Sequence, residues 1–425
     1  MTTNLFPPGF ADLLKFPFVD TLFGRRSRRF ARGTSIPDGP LAFTSRYDPM
    51  PLSDLERMLV LTAAAGNTGW HYMLTRHAGY APHIPNYAGA AGGRTFLSAA
   101  GWHTTELFFT DDSGVYFFPT RDAPALVEPA ADEALDVNLL LAAHQARLRK
   151  LSDKRLYTPV QYMAGHNTWI ANCPGSLLLI PVADVAQHMI AVLCYCVQNG
   201  GCIYDDVNRT RIPGLERFRH LVDVDNPMPF TTLEQEGLAE CASEVSISCY
   251  AGMLMLQAMG LGGWLYDGID RSMMLGMSGD PAVPGLGFRY DTDERWSAPN
   301  PTGLPGVFEG FCPPHYADMR AAVEAFVQRK FDTGGPFHPD TLGPWQESRQ
   351  VRQSAQLHSE EFIECVTVMA DYIYAHFGKF PGTVPTILAL TYLQAHHLDL
   401  DFYDQHFKPG AYLSTHAHHM ARWHP

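Results

Sequence analysis

Hydrophobic and polar positions recur with two different periods along this chain, and each period predicts its own kind of element. Leu55, Met58, Leu59 and Thr62 fall at helical spacing behind Ser53-Asp54-Leu55-Glu56. That tetrad predicts a capping box, in which the Ser53 hydroxyl accepts the Glu56 N–H and the Glu56 carboxylate reaches back to the N-cap. AAAGNTGW, Ala63 to Trp70, is expected to close this helix in a turn, and the glycine-rich stretch Gly79 to Gly93 to be loop. TELFFTDDSGVYFFPT, Thr105 to Thr120, reads as a hairpin of two aromatic-rich runs around an Asp-Asp-Ser-Gly turn. Asp132 to Lys150 predicts a helix. SLLLIPVA, Ser176 to Ala183, has no charge on either face and predicts a buried strand, with a helix following over Val185 to Val197. Glu236 to Met259 predicts a long helix with small and apolar residues on most faces, buried or at a subunit interface, and stopped by Gly260-Leu261-Gly262-Gly263. WLYDGID then reads as a short strand and turn.

Beyond about Gly310 the character changes. Helices are expected over Tyr316 to Phe331 and over Ser359 to Phe377, the second capped by Ser359 and Gly378, with a proline- and glycine-rich linker from Asp332 to Trp345. Ile387, Leu390 and Leu393 suggest a further helix ending at His396-His397, where histidine suits the helix dipole. The division that follows is a domain over residues 1–310, opening with an extended arm over 1–50, and a helical C-terminal extension over 311–425. No internal repeat is evident.

Composition narrows the class. Of 425 residues, 46% are hydrophobic and 18% charged, enough apolar surface for a large core and unlike a disordered chain. No window holds about 18 uninterrupted apolar residues, so no membrane span is expected. MTTNLFPPGFADLLKF lacks the layout of an export signal, and a cytoplasmic location is the expectation. The net charge of -13 argues against a general nucleic-acid partner. Eight irregularly spread cysteines read as reduced core thiols.

Against that acidic background stands Arg25-Arg26-Ser27-Arg28-Arg29-Phe30. Arginine holds its charge at any working pH and meets phosphate bidentately, so the cluster points to one local anion. If the stretch is extended, Arg25, Ser27 and Arg29 share one face, and Arg26 and Arg28 point the other way, to solvent or acidic surface. Four landmarks in order resemble the FMN-dependent nitroreductase family, and within it the SagB-like dehydrogenase branch. They are this arginine motif, the helix in PLSDLERMLVLTAAAGNTGW, the turn and hairpin of LSAAGWHTTELFFTDDSGVYFF, and AGMLMLQAMGLGGWLYDGID. Together they span roughly residues 20 to 290.

The resemblance implies an α+β nitroreductase-like fold, a central mainly antiparallel sheet flanked by helices, in a homodimer with two FMN sites at its interface. It implies Arg25 and Ser27 on phosphate and ribityl, Arg29 near the N1/O2 edge of the flavin ring, and the backbone of Asp267 and Gly268 at N5/O4. Asn67, with Trp70, matches a loop that reaches flavin from the partner subunit. Ser98 matches the serine of a Pro-Ser-Ala-Gly turn in which Leu97 and Ala100 replace proline and glycine, with Gly101 able to supply the turn. Arg289 is the candidate for a second phosphate contact. The implied reaction is hydride transfer through flavin, with NAD(P)H as the family's usual electron donor and a small-molecule substrate; SagB-like members instead oxidise a peptide-borne azoline. Because the cofactor does the chemistry, no nucleophile–base pair is required. The alternatives kept open are a specialised oxidase and a flavin- or ligand-binding protein without turnover.

Nineteen histidines supply a competing signal. His396, His397, His406, His416, His418 and His419, with Asp399, Asp401 and Asp404 among them, hold metal-ligand chemistry. His416-x-His418-His419 lacks helical i, i+4 pairing, and the expectation is that no metal is bound. His103 and His166 are candidate proton donors to a substrate, with core or surface roles as the alternative.

Overall fold

The capping box forms as read: the Ser53 N–H donates to Glu56 Oε2 at 2.7 Å, and the Glu56 N–H donates to Ser53 Oγ at 3.3 Å. It opens helix α1, Asp54–Ala65. The computed structural model describes residues 6–72, 91–98, 101, 103–121, 123, 126, 133 and 136–425. Most of the expected loop Gly79 to Gly93, and Ala100 of the expected turn, lie outside these. Instead of a turn, Asn67–Tyr72 is a strand paired antiparallel with Ala91–Arg94.

The hairpin is strands β1, Thr105–Asp111, and β2, Gly114–Phe118. The helix expected over Asp132 to Lys150 is shorter: α2 spans Val137–Gln145, and Arg149–Ser152 becomes strand β3 alongside β2. Then come β4, Leu177–Asp184, and α3, Val185–Gln198. The long helix α4 starts earlier than read, at Phe230, and runs to Met259, where Gly260 takes the left-handed cap at φ 85°. Strand β5 is Gly262–Tyr266.

Helices α5, Met319–Phe331, and α6, Glu360–Phe377, follow, the second with the expected Ser359 and Gly378 caps. The helix expected from Ile387 to His397 is not there. Ile387–Ala389 is strand β6 and Tyr392–His396 is strand β7, and both pair with β4. A spacing of three suited a helix, but Tyr392 faces one core and Leu393 and Ala395 the other, which is the two-residue alternation of a strand. The segment beyond residue 310 is therefore not wholly helical. The final helix α7, Ser414–Trp423, packs beside α4.

The central sheet runs β5-β7-β4-β1-β2-β3, with β6 as a second neighbour of β4, and every pairing is antiparallel. All eight residues of β4 are buried. Leu177 and Leu179 face α1 and α4, whereas Leu178, Ile180 and Val182 face the opposite core, around Trp264 and Met273. Pro181 has no N–H to give a ladder, and beside it the partner strand breaks, β7 pairing up to Leu179 and β6 from Val182. Helices α3, α5 and α6 build a third apolar cluster. Buried carboxylates of α4 tie these layers together: Glu244 accepts from the N–H and hydroxyl groups of Thr104 and Thr105, and Glu234 from the N–H groups of Gly382 and Thr383. All eight cysteines are buried and free. Among the described residues no helix is long and apolar enough to cross a membrane.

Candidate functional site

The arginine arm lies along the open edge of the sheet. Gly263 N–H donates to the Arg28 carbonyl at 2.8 Å, Arg28 bridges to Gly263 of β5, and Ala31 bridges to Leu398 beyond β7. Alternation then sends Arg28 and Phe30 inward. This corrects the expectation of a solvated Arg28. Its side chain is buried, donating to Gln257 Oε1, to the Ala411 carbonyl at 2.8 Å and to the Gly24 carbonyl at 3.3 Å. Burial pushes its guanidinium down to about 10. Arg25 is half-buried, and Arg26 and Ser27 are exposed.

Arg29, on the same outer face as Arg25, is half-buried as well. Its guanidinium covers the Trp264 ring at 4.6 Å and the Trp169 ring at 5.5 Å. It donates to Asn167 Oδ1 at 2.9 Å and to the His166 carbonyl at 3.1 Å. Burial lowers its pKa from the ordinary value. The loop it touches is bound in turn to the Asp267-Gly268 turn, because Ala164 N–H donates to the Gly268 carbonyl at 2.8 Å and Asp270 N–H to the Tyr162 carbonyl at 2.7 Å. A Cβ on Gly268 would stand 2.5 Å from Asn167 Nδ2. The close approach that Gly268 permits is thus made by Asn167 of the same chain. Asp267 is exposed.

A groove of about 510 Å³ runs beside the arm, lined by Arg26, Ser27 and Arg29 with Trp169, Phe402 and Phe407 among others, and no carboxylate among its lining residues. Its size is that of a small-molecule site. Close by, Arg29 Nε, Asn167 Nδ2, Trp264 Nε1 and the Tyr266 hydroxyl are buried with no hydrogen-bond partner among the described residues. Unsatisfied donors of this kind fit a polar occupant. The groove's donors fit a phosphate and its rings an aromatic body. A flavin ring against Gly268 does not fit, because Asn167 fills that place.

The remaining sequence candidates are not brought to this groove. Asn67 is buried on the other side of the sheet, its N–H donating to His144 Nε2 at 2.9 Å and its side-chain amide to the Ala123 carbonyl. The Ser98 carbonyl accepts the Gly101 N–H at 3.4 Å, with Gly101 at φ 73°. Arg289 is exposed on a short strand paired with Asn300–Leu304. His166 is exposed above the loop, and His103 is buried against Phe96. Among the tail histidines, His397 and His419 converge with His424 on Glu56. Glu56 and His424 carried no metal signal in the sequence, since Glu56 already had a reason to be there as a helix cap.

Searches for relatives find no matching family model and no matching curated protein. Among solved structures, the chain is similar to a "putative nitroreductase" from Ralstonia eutropha at 16% identity, with a TM-score of 0.29, over 60% of this chain and 72% of that one.

Proposed function

We propose that the chain is an FMN-dependent oxidoreductase of the nitroreductase-like kind, exchanging a hydride with a small organic substrate. The observation that carries this reading is the groove of two outward arginines, a serine and aromatic walls, with no acid among its lining residues, in a chain of net charge -13. Such a groove selects an anion with an aromatic body. Ser27, with Arg25 beside it, would hold the phosphate and ribityl end. Arg29, half-withdrawn from water between two indoles, is the cation that would stabilise negative charge on a bound ring. Bound FMN would supply the capacity to take up and return a hydride, which no side chain here provides. NAD(P)H as donor, and the SagB-like oxidase chemistry, belong to the same reading.

A second reading, flavin or ligand binding without turnover, is favoured by one observation: Asn167 occupies the space against Gly268 where ring chemistry is expected. The homodimer also belongs to this proposal. Ala239, Ser243 and Tyr250 are exposed along one stripe of α4, with Ile247 and Leu254 half-buried beside them, a face a second copy would cover.

Absorbance of the purified protein with added FMN, before and after anaerobic NADPH, tests these readings. Bound flavin that bleaches supports the oxidoreductase. Bound flavin inert to NAD(P)H and to other reductant substrates supports binding alone. A protein that takes up no FMN overturns both.

A further inference from the structure

We propose that Glu56, His397, His419 and His424 form a four-coordinate site for a divalent transition metal, best suited to zinc, which pins the C-terminal helix α7 to the body of the protein. The four residues come from three distant parts of the chain: the first turn of α1, the residue after β7, and α7 with the residue that follows it. Their ligand atoms all lie within 4.8 Å of one another. Glu56 Oε1 stands 2.9 Å from His419 Nε2 and 3.0 Å from His424 Nε2, and Glu56 Oε2 stands 3.8 Å from His397 Nε2. Zinc–ligand bonds of about 2.0–2.1 Å in a tetrahedron would set these separations at roughly 3.4 Å, so small shifts would centre an ion.

The hydrogen-bond geometry leaves a place for a cation between these groups. His419 Nδ1 lies 2.8 Å from the Met259 carbonyl oxygen, which can only accept, so Nδ1 carries the hydrogen. Nε2, on the other side of the ring, faces a carboxylate oxygen. Despite the 2.9 Å separation, Nε2 makes no hydrogen bond of acceptable geometry, and neither does His397 Nε2. A metal ion satisfies both nitrogens and the carboxylate at once. The support behind the ligands is of the kind metal sites carry: a backbone carbonyl orients His419, and the Ser53 N–H and hydroxyl fix Glu56 Oε2 at 2.7 and 2.8 Å.

The side chains of Glu56, His397 and His419 are 0%, 1% and 4% exposed, and only His424 reaches solvent, at 19%. Four protein ligands around a closed centre define a structural site rather than one with an open position for a substrate. Three imidazoles and one carboxylate, with no sulfur, suit zinc, and Co²⁺ is the spectroscopic probe for the same geometry.

The test uses the full chain without a histidine tag, loaded with Zn²⁺, desalted and assayed for metal by mass spectrometry, with Co²⁺ spectra taken in parallel. About one zinc per chain, and the strong visible band of four-coordinate cobalt, are expected. His424→Gln, at the solvent edge where packing is least, should weaken zinc binding by at least about tenfold. It should also abolish the rise in thermal midpoint that zinc gives the unaltered protein. His418→Gln, an exposed neighbour on the same helix, should change neither. The proposal is overturned if the folded, unaltered chain retains no more zinc than the His424→Gln or His419→Gln variants, or if His418→Gln loses as much. None of these readouts depends on flavin.

Discussion

The Arg28 guanidinium and the Gln257 side-chain carbonyl meet in the interior, 229 residues apart in sequence, and fix the arm to the long helix α4. Arg28→Ala would leave Gln257 and two backbone carbonyls with a lost donor in a dry place. A loss of about 3 kcal/mol in unfolding free energy is expected from urea titration. Arg28→Lys should recover little, because one ammonium cannot span three diverging acceptors. Arg26→Ala, at an exposed position, should cost less than about 0.5 kcal/mol. Equal costs for Arg26 and Arg28 would refute this division of labour.

Arg29 should show the opposite profile. Its truncation removes two hydrogen bonds and the contacts with Trp264 and Trp169, a modest loss of about 1–2 kcal/mol. FMN affinity, followed by quenching of flavin fluorescence, should fall by about 10- to 100-fold. Unchanged affinity in Arg29→Ala would remove the arm from the flavin site.

Gly268 and Asn167 should be energetically coupled. Gly268→Ala places a methyl against Asn167 Nδ2 and, at 3.1 Å, Ala164 Cβ. The expected cost is about 1–3 kcal/mol. In an Asn167→Gly background that cost should drop by about 1 kcal/mol or more, giving a non-additive double-mutant cycle. Strict additivity would mean that the backbone, not Asn167, sets the need for glycine there.

Lys330 gives a pH dependence with a definite sign. Its ammonium is buried among Phe326, Phe331 and Phe337, 3.1 Å from His358 Nε2, and burial pushes it down to about 8 from an ordinary 10.5. Between those values the unfolded chain holds the proton and the folded one has shed it, so stability rises with pH across that window. Below pH 8 both states are charged and the folded state bears the full cost, about 3 kcal/mol. Measured as the difference in unfolding free energy from Lys330→Met, the wild-type disadvantage should shrink steadily from pH 8 to 10.5. A constant difference would rule out a buried ammonium.

Much of this architecture was legible where local chemistry and burial agree. The Ser53–Glu56 box, the hairpin at 105–118, the uncharged run at 176–183 and the Ser359-capped helix depend on nearest neighbours along the chain. The errors came where distant partners decide. Leu393 and Ala395 belong to a strand only because β4 and β5 offer partners on either side, and nothing local distinguishes that from helical spacing. Arg28 reads as a surface charge until Gln257, Ala411 and Gly24 supply acceptors. At the candidate site, the pattern marked Arg29 and Gly268 but could not show that Asn167 would stand between them. Glu56 was explained by its cap, which concealed three histidines more than 340 residues away.

The placement of β7 has a consequence for how the protein is made. Residues 392–396 lie between β5 and β4, so the edge strand β5 is joined to the rest of the sheet only by a segment made well after both of its neighbours. Until then β4 and β5 are separate edges, each an open template for pairing with another nascent chain. Folding is therefore committed late, through contacts of very long sequence separation, and should be slow and dependent on protection during synthesis.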